Sequence, residues 1–265
     1  YTQKDLQASI WAALRQTGRS PDALTLDDLA PVDGYHIRGR EATRELLDEL
    51  ALDETTRVLD VGCGIGGTCR FVAATYGSRA TGVDLSAAYC EVATLLTQRV
   101  GLADAVRFLH GDALQLPVAD GSFDVAISEH VQMNIADKQA YVREIARVLR
   151  PGGTCALYEI CAGEKAPPHY PVPWADDASI SFLTAPDALR TMLEKAGMDV
   201  VRWEDVTAKS LAWFEETLAK IEEQGPPPLG LHLLMGKDAK TKMQNVARNL
   251  AEDRIAVVTA VARKA

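Results

Sequence analysis

Short apolar segments rich in Val, Ile and Ala recur along the middle of the 265-residue chain. Five of them read RVLDVG, ATGVDL, VRFLHGD, FDVAIS and TCALYEI, and helical segments separate most of them. Strands that are apolar almost throughout are typical of a parallel sheet covered on both faces. Two further strands, in MDVVRWEDV and RIAVVTAVARK, bring the predicted sheet to seven strands. The alternation predicts an α/β fold with a doubly wound, Rossmann-like, mostly parallel sheet.

Helical patterns flank this predicted sheet. Residues 1–50 carry apolar positions at helical spacing and are predicted to form an N-terminal helical cap. Residues 51–207 form the predicted ligand-binding core, and residues 251–265 its last strand. Between these, residues 208–250 hold the amphipathic LAWFEETLAKIEEQ and the helix breaker GPPPLG. We expect this helical insertion to cover the acceptor side of a ligand site, together with the N-terminal helices.

The charge and composition of the chain limit the kinds of partner that we expect it to bind. The net charge is −9, whereas neutralising phosphates requires a basic face, so no nucleic-acid partner is expected. No apolar run approaches the length of a membrane span, and no leader pattern is visible, so we expect no membrane partner and a cytoplasmic location. The five cysteines form no C-x-x-C pair and no zinc-spaced cluster, so no metal is expected. A homo-oligomer is compatible with the sequence, which does not set the oligomeric state.

A glycine-rich turn follows the first predicted strand. It reads Gly62-Cys63-Gly64-Ile65-Gly66-Gly67, and glycines at such a position let the backbone pass close to a ligand. The turn also satisfies the dinucleotide pattern G-x-G-x-x-G. Alone it is weak, because many strand-to-helix turns contain glycine. It indicates a ligand at this end of the sheet without identifying it.

Acidic residues lie at the ends of three successive predicted strands. Asp84 lies 20 residues after Gly64, where a carboxylate can accept hydrogen bonds from both ribose hydroxyls. Its alternative role is that of a helix N-cap before SAAYCEVA. Asp60 precedes the glycines inside the first strand, where it would repel a pyrophosphate and attract an ammonium group. Asp112, after the third strand, offers an acid and a backbone amide to an adenine edge. A nucleoside joined to an ammonium group fits these positions better than NAD does.

The ordered set VLDVGCGIGG, GVDLS, GDALQLP, FDVAISEH and LRPGGTCALYEI resembles the successive motifs of class I S-adenosylmethionine-dependent methyltransferases. The resemblance covers roughly residues 57 to 161. It implies S-adenosyl-L-methionine as methyl donor and S-adenosyl-L-homocysteine as product. It further implies that the methionine end lies at Asp60, Gly62 and Gly64, the ribose at Asp84 and Leu85, and the adenine at Asp112 and Ala113. Glu129 and His130, which end the fourth strand, would border the donor and its acceptor.

Other segments supply candidates for the cap and the acceptor site. The stretch Tyr35-His36-Ile37-Arg38-Gly39-Arg40 is similar to the part of small-metabolite methyltransferases that closes over the donor, which assigns Arg38 to the donor and Tyr35 to the acceptor. The proline-rich aromatic loop APPHYPVPWADD predicts an acceptor wall containing His169 and Trp174. A solvated loop is the alternative for both segments.

Two side chains are candidates for acid–base catalysis. His130 is a base that titrates near neutral pH, although a structural hydrogen bonder is as common there. Glu159, in the fifth strand, would point toward the acceptor if strand alternation holds, and burial would raise its pKa. A carboxylate capping the next loop is its alternative. Trp213 and Phe214 are expected in the core.

The sequence therefore predicts a transferase that moves a methyl group from S-adenosylmethionine to a small-molecule acceptor, at an amine nitrogen or a carbon. It resembles the enzymes that act on sarcosine and dimethylglycine, on tocopherol or quinol rings, and on isoprenoid diphosphates. One alternative is a carbon methyltransferase that acts on an isoprenoid diphosphate and uses a glutamate base. An alternative of another class is an NAD-dependent oxidoreductase, which shares the glycine turn and Asp84 but does not explain Asp60.

Overall fold

The computed structural model describes residues 3–20, 22–236 and 238–265. Within them, seven strands form one sheet. The strands are β1 (Arg57–Val61), β2 (Arg79–Asp84), β3 (Val106–His110), β4 (Phe123–Glu129), β5 (Leu149–Ala162), β6 (Met198–Asp205) and β7 (Ile255–Lys264). The helices are α1 (Gln3–Gln16), α2 (Leu26–Asp33), α3 (Gly39–Leu47), α4 (Gly67–Tyr76), α5 (Ala87–Arg99), α6 (Lys138–Val148), α7 (Pro186–Lys195), α8 (Thr207–Gln224), α9 (His232–Met235) and α10 (Ala239–Ala251).

The strand order is β3-β2-β1-β4-β5-β7-β6, and β7 runs antiparallel to both of its neighbours. The first five strands in this order pair in parallel. The sheet confirms the predicted doubly wound, mostly parallel, seven-stranded architecture. The strand order reverses between β1 and β4, where ligands bind in open α/β sheets. Asp60 lies at this point, aligned with Gly82 of β2 and Ile127 of β4.

Helices cover both faces of the sheet and bury its strands. One apolar cluster contains Val58 and Ile127 and extends to α8 and α10 through Phe214 and Val246. A second cluster contains Leu59 and residues of α6 on the other face. Alternate residues of β1 thus face opposite layers, as the pleat of a strand requires.

The N-terminal helix packs against helices from the middle and the C-terminal third of the chain. Leu6 and Ile10 of α1 pack in one buried cluster with Val92 of α5 and Leu234 of α9. Helices α8 and α10 pack on each other and on β7. These helices lie where the sequence predicts an N-terminal cap and an insertion, and the division of the chain at residues 50, 207 and 250 stays a proposal. Within the described ranges, no helix has the length and apolarity needed to cross a membrane.

Candidate active site

A cavity of about 350 Å³ lies at the carboxyl ends of the central strands. Its floor comes from the ends of β1, β2 and β4, and its walls come from the segment after α2 and from α8, α9 and α10. We call the part against β1, β2 and the loop after β3 the donor half. The part against the loop after β4, β5 and helices α8 to α10 is the acceptor half. One cavity therefore joins residues from nearly the whole length of the chain.

The glycine turn passes from β1 into α4 under the donor half. Gly62 has a φ of +77° and Gly64 a φ of +53°, a region that glycine adopts without a steric penalty. A Cβ atom on Gly62 would lie 2.4 Å from Cγ2 of Val131. The Gly62 amide donates to the Val83 carbonyl at 2.8 Å, which fixes the turn against β2. Both predicted glycines line the cavity and expose backbone to it.

Asp84 stands at the end of β2 beside this turn. Its Oδ2 accepts from the Gly64 amide and its Oδ1 from the Ser86 amide, both at 2.8 Å. Ser86 is the N-cap of α5, since its hydroxyl accepts from the Tyr89 amide, so the alternative N-cap role for Asp84 is wrong. Burial raises the pKa of Asp84 above its ordinary value. Each carboxylate oxygen keeps a second lone pair for a ligand in the cavity.

Asp60 is buried, with 3% of its surface exposed, and it lines the donor half. The Cys69 thiol donates to its Oδ2 at 3.4 Å, and no ion pair is formed by Asp60 within the described residues. Burial, with the charges of Glu129 and Asp84, raises its pKa to about 8. A buried carboxyl with a raised pKa and no cationic partner suits a ligand that brings its own positive charge.

Glu129 ends β4, at the boundary between the two halves. Its Oε1 accepts from the Thr43 hydroxyl at 2.8 Å and its Oε2 from the Thr68 hydroxyl at 2.5 Å. His36 Nε2 lies 3.6 Å from Glu129 Oε1 and 3.1 Å from the Thr43 hydroxyl. Since the single Thr43 hydroxyl proton is donated to Glu129, the proton between Thr43 and His36 belongs to the imidazole. His36 is therefore a donor here, which sequence reasoning included only as part of the Tyr35 to Arg40 segment.

The loop after β3 closes the outer edge of the donor half. Asp112 and Ala113 line the cavity, and Asp112 Oδ1 accepts from the Leu114 amide at 2.8 Å. Leu85, which directly follows Asp84, lines the same cavity and is 72% exposed. An exposed leucine beside an acid and free backbone offers a flat apolar surface and a hydrogen-bonding edge, the two properties that a purine ring requires.

His130 follows β4 in a left-handed conformation, with a φ of +56°. This conformation is uncommon outside glycine, and residues that hold it cluster at functional sites. Its amide donates to the Tyr158 carbonyl at 2.7 Å, and its ring packs 4.7 Å from the Tyr158 ring. The ring nitrogen Nε2 is buried without a hydrogen-bond partner in the described chain. Burial, with His36 nearby, holds the pKa of His130 well below its ordinary value.

Glu159 does not line the cavity, so the predicted orientation toward the acceptor is corrected. Its Oε2 accepts from the amides of Val131 and Gln132 at 3.0 and 3.2 Å, and its Oε1 accepts from the Ser128 hydroxyl at 2.9 Å. The side chain is fully buried, and burial raises its pKa to about 8. These contacts fit the alternative of a carboxylate that caps the loop after the fourth strand, the loop that begins at His130.

The structure also leaves two other predicted residues outside the cavity. The Arg38 guanidinium pairs with Glu41 at 2.8 Å and Glu45 at 2.5 Å on α3, so it holds the cap instead of the donor. His169 Nε2 lies 2.7 Å from Glu252, and its amide donates to Asn249, which ties the proline-rich loop to α10. Both predicted ligand contacts are therefore corrected to structural ones.

Tyr35 and Trp174 do line the cavity. The Tyr35 hydroxyl donates to the carbonyl of Pro173, the residue before Trp174, at 3.1 Å. Trp213 and Phe214 of α8, which the sequence places in the core, line the acceptor half as well. The amphipathic pattern of α8 signals one apolar face but not the space that this face covers.

The sequence of this chain is similar to proteins of one family. The sequence profile of the family described as "Methyltransferase domain" matches residues 59–157. The methyltransferase GfsG of Streptomyces halstedii is 30% identical over 227 residues, which cover 78% of this chain and 76% of GfsG. The matches span only 29 to 38% of the length of several other curated methyltransferases.

Two solved structures share the fold at lower identity. Geranyl diphosphate C-methyltransferase from Streptomyces coelicolor A3(2) superposes with a TM-score of 0.70 at 18% identity, over 85% of this chain and 79% of that one. The cyclase SpnF superposes with a TM-score of 0.65 at 23% identity, over 98% of this chain and 93% of that one. The fold thus occurs with more than one chemistry, and the side chains of the cavity must decide between them.

Proposed function

The chain belongs to the class I S-adenosylmethionine-dependent methyltransferases, and on that premise we propose how its cavity divides the work between donor and acceptor. S-adenosylmethionine, when bound, supplies an electrophilic methyl group on its sulfonium. The protein has to orient a nucleophile in line with that group and exclude water. The observation that carries the proposal is Asp60, a buried carboxyl at the strand-order reversal that has no cationic partner among the described residues.

The donor half fits the donor in three places. Asp60 would pair with the ammonium of the methionine part, beside backbone that Gly62 and Gly64 leave open. Asp84 would accept from the two ribose hydroxyls through the lone pairs that its backbone contacts leave free. Asp112 and Ala113 would border the adenine ring. A pyrophosphate brings no positive charge to pair with Asp60 and would be repelled by its ionised form, which argues against NAD at the same position.

His130 is the residue proposed to receive a proton in the acceptor half. Its low pKa keeps the ring neutral at pH 7, and its Nε2 lacks a partner in the described chain. In the tautomer with Nδ1 protonated, Nε2 accepts the proton that a hydroxyl or protonated amine loses on methylation. Glu129 already accepts hydrogen bonds from two threonine hydroxyls. It would lie between the bound donor and the bound acceptor.

Calorimetric titration with S-adenosylhomocysteine tests the donor half, using Asp84→Asn against the wild type. An amide in place of the carboxylate loses one acceptor oxygen and a charge. Hydrogen bonds to a charged group contribute about 1.5 to 3 kcal/mol each, so the dissociation constant should rise about 10-fold to 150-fold. The matched control is Asp53→Asn, since Asp53 accepts from the Thr55 amide in a turn before β1, outside the cavity. Its dissociation constant should stay within about twofold of the wild type.

Two results would overturn the proposal. One is the absence of heat when the wild type is titrated with S-adenosylhomocysteine. The other is an equal loss of affinity in the Asp53 and Asp84 variants, because that would make the effect one of folding and not of ribose recognition.

A further inference from the structure

The acceptor half of the cavity is a chamber built from side chains that are distant in sequence. We call it the acceptor chamber and define it by six lining residues: Met133, Trp174, Trp213, Phe214, Met235 and Met243. Trp213 and Phe214 meet edge to face, with ring centroids 5.1 Å apart at 85°. Unbranched methionine side chains adapt their shape to irregular apolar ligands. These six residues give the chamber aromatic and thioether walls, and the aliphatic Ile160 and Val246 line the same half of the cavity.

Polar side-chain groups around the acceptor chamber already have hydrogen-bond partners within the protein. The Trp174 indole nitrogen donates to the Ser181 hydroxyl at 3.0 Å. The Asn134 side-chain amide donates to the carbonyls of Trp174 and Ile180, both at 2.9 Å. Because these donors have partners already, the walls offer a ligand apolar surface. His130 also lines the cavity, and its Nε2 is a buried atom without a hydrogen-bond partner among the described residues.

Charge is also confined to the donor half. Among the described residues that line the cavity there is no Lys or Arg. The nearby Lys242 of α10 pairs with Asp176 at 2.8 Å and donates to the Met235 carbonyl. A diphosphate acceptor would therefore meet no unpaired cation on the described walls. Among the described residues of the acceptor half, an ammonium acceptor would meet no carboxylate beyond Glu129, which Thr43 and Thr68 already occupy. Asp33, which also lines the cavity, is paired with Arg70.

We propose that the acceptor is an uncharged, largely apolar molecule with a ring system, which presents a hydroxyl to His130. This inference rests on the proposed function of the same cavity. The ring packs between Trp174 and the Trp213–Phe214 pair, and burying it removes apolar surface from water. The acceptor oxygen bonds to the methyl carbon as the carbon–sulfur bond breaks, and the hydroxyl proton passes to Nε2 of His130 and then to solvent. An isoprenoid diphosphate, one of the acceptors expected from the sequence, is disfavoured by the same walls.

Matched probes that differ in charge test this inference. We would titrate the protein, saturated with S-adenosylhomocysteine, with 2-naphthol, 2-naphthyl phosphate and dimethylglycine, following tryptophan fluorescence and heat. The expected result is that 2-naphthol binds at least tenfold more tightly than either charged probe. With S-adenosylmethionine in place of the product, mass spectrometry of 2-naphthol should detect the methyl ether.

Substitutions inside and outside the acceptor chamber test whether 2-naphthol binds there. Trp213→Ala should weaken 2-naphthol at least tenfold and leave the affinity for S-adenosylhomocysteine unchanged. Trp203→Ala is the matched control, because Trp203 packs against β7 outside the cavity, and it should change neither affinity. If Trp213→Ala fails to fold, Met243→Lys replaces it, and we expect this variant to shift the preference at least tenfold toward 2-naphthyl phosphate.

The outcomes separate the two proposals. A protein that does not bind S-adenosylhomocysteine overturns the proposed function. A protein that binds it, yet takes up 2-naphthyl phosphate or dimethylglycine as tightly as 2-naphthol, overturns the apolar acceptor alone. The inference also fails if Trp203→Ala lowers naphthol affinity as much as Trp213→Ala does, or if Met243→Lys leaves the preference unchanged.

Discussion

Ionisation of Asp60 should govern the pH dependence of donor binding. Its carboxyl has a pKa of about 8 in the ligand-free protein because it is buried beside Glu129 and Asp84. If only the ionised form pairs with the ammonium group, the apparent dissociation constant is the intrinsic one divided by the ionised fraction. That fraction rises about tenfold per pH unit below the pKa. Affinity for S-adenosylhomocysteine should therefore increase by roughly a hundredfold between pH 5.5 and 7.5.

The stability of the ligand-free protein should change with pH in the opposite direction to donor affinity. A carboxyl whose pKa is raised from 3.8 in the unfolded chain to about 8 in the folded protein binds its proton more tightly when folded. The ligand-free protein should thus lose stability as pH rises from about 4 to 8, by up to about 1.4 kcal/mol per pH unit from this group. Asp60→Asn, which mimics the protonated form, should remove that contribution.

Calorimetry at several pH values, with urea denaturation of the free protein, measures both quantities. Asp60→Asn should flatten the dependence of affinity on pH and bind about 10-fold to 100-fold more weakly at pH 7.5, through loss of a charge-assisted pair. Glu159→Gln is the control, since Glu159 also has a pKa of about 8 and is buried outside the cavity. It should keep the wild-type dependence of donor affinity on pH. A pH dependence of affinity that survives in Asp60→Asn, or disappears in Glu159→Gln, would refute the reasoning.

Two further predictions concern the support of the donor half. Gly62→Ala places a Cβ atom 2.4 Å from Val131 at a φ of +77°, so it should lower the free energy of unfolding by about 2 to 4 kcal/mol in thermal denaturation. The control Gly18→Ala has a φ of +75° and nothing within 4 Å, so it should lower that free energy by about 1 to 2 kcal/mol. Equal losses of stability in the two variants would contradict the close contact. Arg70 is fully buried and pairs with Asp33, so Arg70→Met should lower the free energy of unfolding by about 3 to 5 kcal/mol in urea denaturation. Adding Asp33→Asn should recover part of that loss, because it removes the carboxylate left without its partner. Additive losses in the double variant would contradict a buried pair.

The sheet and the donor half could be predicted because their signals are local in the sequence. Each strand is a short apolar run, and each functional residue lies at the end of its strand or within a few positions of it. Asp60, Gly62 and Asp84 are therefore placed by the order of the parallel strands. The parallel sheet brings its carboxyl ends to one edge, so adjacent motifs need no further contact to converge.

Glu159 shows where this reasoning stops. In a strand buried on both faces, apolar residues occupy both sides, and alternation carries no polar contrast to say which side faces a ligand. Tyr158 faces the cavity side, where its ring meets His130 and His36, and Glu159 therefore faces the opposite layer. Only the packed structure shows which face of β5 carries the Glu159 side chain.

The acceptor chamber could not be predicted for a different reason. Trp213 and Met243 lie in helices that the sequence identifies as amphipathic, but the pattern does not state which surface their apolar faces cover. Met133 and Trp174 join them only after the chain has folded. Arg38 is the opposite case: Glu41 and Glu45 lie three and seven positions after it, a helical spacing that could have revealed its structural partners.

The most direct test of the division into a donor half and an acceptor chamber is a crystal structure of the protein with S-adenosylhomocysteine. We expect the amino group within hydrogen-bond distance of Asp60, the ribose hydroxyls on Asp84, and the sulfur facing His130 and the acceptor chamber. Adenosine lying among Trp174, Trp213 and Met243, or a sulfur directed away from His130, would contradict the account.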